Sequence, residues 1–211
     1  MKGLILKDLI NLKRSMKSMG VMLIAFAVLF IPMGNESFIS GMIVLVFAMM
    51  VITTMSYDDL ARWDTYALTM PISRKEVVLS KYLLLLMLDL TGVVLALALA
   101  FVGSFFRGTG ITVETLLGIL IVLMIAVIFG SVLIPMIYKF GTEKARLMII
   151  LCAAIPTAVV LVLGQLNIPF PAIGNEETVF WTIMIAMAFI SLVVFFASYF
   201  ISVKIYQKKE F

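Results

Sequence analysis

Six long apolar stretches alternate with short polar connections along the chain, at about Met16 to Met33, Phe38 to Met55, Tyr82 to Phe106, Leu116 to Ile137, Leu147 to Leu166 and Val179 to Val203. A helix needs roughly 18–20 apolar residues to cross a hydrocarbon core of about 30 Å, and each stretch approaches or exceeds that length, the first being the shortest. The pattern predicts an all-α, polytopic membrane protein with six transmembrane helices forming one domain over residues 1–211. Ahead of the first span, Met1 to Lys17 carries Ile5, Leu6, Leu9, Leu12 and Met16 at helical spacing, with Lys7, Asp8, Asn11 and Arg14 between them. This predicts an interfacial amphipathic helix over 1–17, its apolar stripe toward lipid and Lys7, Asp8, Asn11 and Arg14 toward headgroups.

One polar segment interrupts the apolar pattern at length: Tyr57 to Tyr82, YDDLARWDTYALTMPISRKEVVLSKY. Leu60, Trp63, Tyr66, Ala67 and Met70 fall on one helical face, while Asp58, Asp59, Arg62, Asp64 and Thr65 fall mainly on the other, predicting an amphipathic helix from Asp58 to Met70. Pro71 disfavours helix at Met70. Ser73-Arg74-Lys75-Glu76 then reads as a capping box, so a second helix is expected to start at Ser73 and run into the third span.

Charge adds direction. Of the 16 Lys and Arg, five precede span one, four lie between spans two and three, three between spans four and five, and three follow span six, leaving only Arg107 on the opposite side. The excess of basic residues on inner loops therefore places both termini and the 57–81 loop in the cytoplasm. A composition of 64% hydrophobic and 13% charged residues excludes an ordinary soluble domain, and the placement of the basic residues argues against a nucleic-acid partner despite the net charge of +4. The basic start followed by an apolar run resembles a secretory signal, but no small-x-small cleavage pattern follows Phe30 and Phe38 opens another span, so cleavage is not expected.

Candidate chemistry is sparse. The chain has no histidine and one cysteine, Cys152, inside an apolar run, which argues against zinc catalysis, a disulfide framework and a thiolate metal cluster. Glu176-Glu177 is read as the first turn of span six, capped by Asn175, where the helix dipole favours negative charge. No G-x-x-x-x-G-K-[ST] motif is present, so ATP and magnesium, if used, are bound by a separate chain. Asp89 lies inside span three, about 10 Å beyond Tyr82 at 1.5 Å per residue, where an ionised carboxylate is costly unless paired or hydrated. It is a candidate for the translocation path or for an ion pair with a basic residue such as Lys139, against the simpler reading of a structural hydrogen bond. Gly92, Ala96 and Ala100 form a small-residue face for close helix approach, within the subunit or between subunits. Pro135 and Pro156 are candidate bends.

The loop resembles the first cytoplasmic loop of ABC-2 type exporter permeases, through Tyr57-Asp58-Asp59, Trp63 and Tyr66, Pro71-Ile72-Ser73-Arg74 and Val77-Val78-Leu79-Ser80-Lys81-Tyr82. The short outer connections are similar to those of small bacterial peptide-exporting members, such as the phenol-soluble-modulin exporter permeases. The resemblance implies a non-catalytic permease in the bacterial plasma membrane, exporting an amphipathic or hydrophobic substrate, with two copies of a cytosolic ABC ATPase and a second permease subunit as partners. It also implies a coupling helix that docks on the ATPase, the role falling on Asp58, Asp59, Leu60, Arg62, Trp63, Asp64, Tyr66, Met70 and Arg74. The competing expectations are a membrane anchor recruiting a cytosolic partner through the same loop and, with little polar chemistry to support it, a membrane enzyme.

Overall fold

The computed structural model describes residues 2–30, 36–67, 69–108, 110–142, 144 and 176–209. Its helices are α1 (Lys2–Phe30), α2 (Glu36–Leu60), α3 (Trp63–Ala67), α4 (Arg74–Arg107), α5 (Val113–Phe140) and α6 (Glu176–Lys208), with no strand among the described residues. Four of these contain segments long and apolar enough to cross a membrane: Phe38–Leu60, Arg74–Phe106, Val113–Phe140 and Glu177–Lys208. In α1 the apolar segment Ser15–Leu29 is shorter. The expected fifth span, with Cys152 and Pro156, and the Asn175 cap lie outside the described residues.

Two boundaries differ from the sequence expectation. The interfacial helix and first span are continuous in α1, without a break near Lys17. Their apolar residues share one cylinder, and neither proline nor a capping signal separates them. The helix expected from Asp58 to Met70 is also redistributed: Tyr57 to Leu60 are the last turn of α2, and only Trp63–Ala67 form α3. Arg62 separates the two with φ +48°, a left-handed conformation unfavourable for a side-chain-bearing residue and incompatible with continuing a right-handed helix.

The expected start of the next helix is present. The Ser73 hydroxyl accepts from the Glu76 backbone N–H at 3.3 Å, and the Glu76 carboxylate accepts from the Ser73 N–H at 2.9 Å. The capping box satisfies backbone donors at both positions and starts α4 at Arg74. Over 34 residues α4 extends about 50 Å, longer than a hydrocarbon core. α5 continues through Pro135.

Small residues set the packing. α2 and α4 run antiparallel and close: a Cβ on Gly92 would stand 3.1 Å from the Val44 Cα and the Phe47 Cβ. The Gly92, Ala96 and Ala100 face is thus used inside the subunit, where Ala96 joins Val44, Ala48, Ile119 and Ala126 in a buried cluster between α2, α4 and α5. Gly130 of α5 takes the Leu85 side chain of α4. α5 and α6 run in the same direction, and Tyr82 ties α4 to α6, its hydroxyl 2.6 Å from the Ser198 Oγ and 2.8 Å from the Ser202 Oγ. Ser198 in turn donates to the Ser131 carbonyl of α5. The start of α1 and α4 and the ends of α2, α5 and α6 consequently meet at one end of the bundle, its polar end.

Candidate coupling corner and its buried ion pairs

The turn between α2 and α4 sits on this polar end and is bonded to the helix ends around it. In the last turn of α2, Asp58 and Asp59 place negative charge where the helix dipole is already negative, an arrangement that calls for nearby cations. Two lysines answer. Lys7 of α1 donates to Asp58 Oδ1 at 2.6 Å, and Lys81 of α4 donates to Asp58 Oδ2 at 2.6 Å and to Asp8 Oδ2 at 2.7 Å. Lys7 also lies 3.1 Å from Asp8 Oδ1, closing a ring in which each cation touches both anions. The ring is electrically balanced and mostly dehydrated: the Asp8 and Lys81 side chains are 1% and 5% exposed, Lys7 21%. Charges this buried are tolerated only when paired and hydrogen bonded.

Asp8 and Lys7 therefore do not face headgroups as their place in the amphipathic pattern predicts, and Leu12, expected to face lipid, is also fully buried. Leu4, Asp8 and Leu12 share one face of α1 at four-residue spacing, and that face packs inward. In the sequence Asp8 is the only acidic residue before Glu36, set among five basic ones, a pattern that an acid facing headgroups would share.

α3 lies against the ring. The Trp63 ring covers the Lys7 ammonium, 4.3 Å from nitrogen to ring centre, and packs 5.4 Å from the Tyr66 ring. Asp64 points to α6, accepting from the Tyr206 hydroxyl at 3.1 Å and from Lys209 at 3.5 Å. Asp59 accepts from the Thr142 N–H at 3.1 Å, just past α5. Arg74 donates to the carbonyls of Tyr206, Gln207 and Lys209, supplying donors to the otherwise open C-terminal carbonyls of α6. Tyr206 and Tyr138 stack edge to face nearby, 5.1 Å apart.

Of the residues expected to act together, Asp58, Asp59, Trp63, Asp64 and Arg74 thus bind the corner to α1, α4, α5 and α6, while Met70 is half-buried. Leu60, Arg62 and Tyr66 point the other way. Leu60 is 82% and Tyr66 57% exposed, and Arg62 is exposed on its left-handed backbone. The corner is two-sided, with Asp58, Asp59, Asp64 and Arg74 bonded inward and an exposed ridge of Leu60, Arg62 and Tyr66 outward.

Asp89 does not belong to this cluster. It lies eight residues after Lys81, about 12 Å further along α4, fully buried, and neither carboxylate oxygen has a hydrogen-bond partner among the described residues. The Lys139 proposed for it is exposed and lies over the Phe140 ring. Among the described residues no three acidic or thiol groups converge as metal ligands do. In the other half of the bundle, α1, α2 and α4 border a groove of about 890 Å³ lined by apolar residues, including Leu23, Ala27, Ile43, Leu99 and Phe106.

Long apolar helices, with ionisable groups drawn to one end, define a multi-pass helical membrane protein. Residues 3–207 match the family model described as ABC-2 family transporter protein, so the chain belongs to the ABC-2 family of transporters. Comparisons with curated proteins and with solved structures returned no significant match.

Proposed function

We propose that the chain is the permease subunit of an ABC exporter in the bacterial plasma membrane, carrying a hydrophobic or amphipathic substrate such as a peptide. The observation that carries this reading is the two-sided corner. Leu60, Arg62 and Tyr66 are exposed together where a cytosolic partner can reach them, while Asp58, Asp59, Trp63 and Asp64 bond the same turn to the surrounding helix ends. A force applied to the ridge is passed to helices that cross the membrane.

In this reading the polar end and both termini are cytoplasmic, and the ridge docks on an ABC ATPase that holds ATP and magnesium. Two ATPase copies act on two permease subunits, the chain itself being non-catalytic. Six spans are proposed, and the parallel course of α5 and α6 supports that count. The apolar groove between α1, α2 and α4 supports a nonpolar substrate, since the described residues that line it are apolar and uncharged.

The test is Leu60→Lys, which replaces an 82% exposed side chain on the outward ridge and puts a cation where the end of the α2 dipole favours one. The variant should insert and keep its thermal stability yet retain less than a tenth of the ATPase that co-purifies with the wild type. Undiminished ATPase recovery with the variant would remove the ridge from the docking surface.

A further inference from the structure

The apolar groove is open along α1 on a stripe set by three- and four-residue steps, Gly20, Ile24 and Ala27, with Val28 beside them. The same steps carried back toward the polar end reach Lys17 and Lys13, both exposed and, among the described residues, without an acidic partner. They differ in this from Lys7, which is held in the ring, and the one acid of this stretch, Asp8, is already taken by Lys81. Gly20 itself makes room. A Cβ there would meet nothing within 4 Å, so no close helix approach accounts for a glycine in the interior of a 29-residue helix that glycine weakens. The apolar segment of α1, Ser15–Leu29, spans only about 22 Å, short of a hydrocarbon core of about 30 Å, so lipid beside it has to be drawn inward at one end.

We propose that the groove holds an acyl chain of an anionic phospholipid from the leaflet on the polar side, cytoplasmic in the proposed orientation, with its phosphate drawn down to Lys13 and Lys17 and its glycerol passing Gly20. The lengths agree. From Gly20 to Val28 the α1 wall runs about 12 Å, and from Leu95 to Phe106 the α4 wall runs about 16 Å, against about 15 Å for the half of the hydrocarbon core that one leaflet fills. The volume of about 890 Å³ lies within the range of small-ligand sites, and the described residues that line it suit a chain. A second copy of this chain is the poorer occupant, because two copies in one membrane hold Lys13 and Lys17 at the same depth and would set cation against cation. Lipid seated here owes nothing to the docking proposed at the corner, and a nonpolar substrate entering the groove exchanges with it.

The test uses the full-length chain, purified in mild detergent with any subunits that accompany it and stripped of lipid. It is titrated with dioleoyl phosphatidylglycerol or with dioleoyl phosphatidylcholine, which has the same chains and no net charge, and native mass spectrometry counts the lipid held per chain. One phosphatidylglycerol per chain should bind saturably and at least about fivefold tighter than phosphatidylcholine, the scale of one lysine near an anionic surface. Glycerol 3-phosphate, a headgroup without chains, should not displace it. In Lys13→Gln/Lys17→Gln the two lipids should bind equally, with the phosphatidylcholine affinity of the parent. Gly20→Leu, which enters the groove where nothing stands in its way, should weaken both lipids at least about tenfold, whereas Gly118→Leu, in open space on α5, should weaken neither.

Ala98→Leu fills the groove from the α4 wall and is measured beside Gly20→Leu, so that if either loses its fold, read as a lower melting temperature, the other still tests the groove. Loss of the headgroup preference with the lysines, together with loss of both lipids on filling the groove, upholds the proposal. A preference that survives the lysine variant overturns it. Unchanged affinities in Gly20→Leu and Ala98→Leu also overturn it, since the lysines then gather lipid at the surface without the groove. Displacement by glycerol 3-phosphate overturns it as a phosphate site that takes no chain. Absence of saturable lipid in the parent overturns it as well, because another part of the chain or a second copy then fills the space.

Discussion

Replacing Lys81 by Met should destabilise the protein far more than the same change at Lys7 or Lys209. Lys81 is 5% exposed and is hydrogen bonded to both Asp8 and Asp58, so its loss leaves two buried carboxylates sharing the single remaining ammonium of Lys7. Removing one partner from a buried charge pair costs about 3–5 kcal/mol, most of it the penalty for the charge left behind. At Lys7 the loss is smaller, about 1–2 kcal/mol, between the values for an exposed pair and for a charge-assisted hydrogen bond; its nitrogen is partly hydrated and Lys81 still bridges both carboxylates. Lys209 meets Asp64 at 3.5 Å with both side chains partly exposed, which limits that contact to under about 1 kcal/mol. Thermal unfolding in mild-detergent micelles, followed by far-UV circular dichroism, should show a drop on the order of 10 °C for Lys81→Met, at about 2–4 °C per kcal/mol for a chain this size. Lys81→Met/Asp8→Asn, which leaves one balanced pair, should recover at least half of that drop. A Lys81→Met drop under 2 °C, or equal drops for all three lysines, would refute the account of the ring as a dehydrated charge balance.

Three further outcomes follow from the packing. Gly92→Leu pushes α2 from α4 because the atoms it meets include the Val44 backbone, and it should cost about 1–3 kcal/mol or more, whereas Gly118→Leu enters open space and should be neutral; micelle melting temperatures compare them. Tyr82→Phe removes the hydroxyl bonded to Ser198 and Ser202 and should cost about 1–3 kcal/mol, read as a lower melting temperature with an unchanged helical spectrum. Asp89→Asn forfeits no hydrogen bond among the described residues and takes away a possible buried charge, so its melting temperature should equal or exceed the parent's. A clear fall for Asp89→Asn would show that the carboxylate holds a partner.

How far the chain could be read in advance depended on which interactions are periodic and local. The span signals rest on runs of apolar residues, and the Ser73 cap rests on a four-residue motif that completes its own hydrogen bonds; the cap and four of the six expected spans appear among the described residues. The corner was legible as polar and amphipathic, yet its helix was not, because the left-handed turn at Arg62 divides a pattern that periodicity alone treats as continuous. The role of Asp8 is written in no local pattern. Its buried partner Lys81 is 73 positions away, and a lone acid in a basic amphipathic segment looks the same whether it faces water or a buried lysine. Arg74 is similar: sequence places it at a boundary, and only the fold brings the end of α6 to its guanidinium.

The left-handed Arg62 has a further consequence for how the corner can vary. A side-chain-bearing residue in that conformation carries a standing cost of about 1–3 kcal/mol that glycine largely avoids. The corner is therefore held bent by its neighbours rather than by its own chain, stored like a spring whose catch is the set of bonds on its inner side. A glycine at position 62 would keep the shape and discharge the spring. Comparing the two would separate what the ridge contributes by contact from what it contributes by tension.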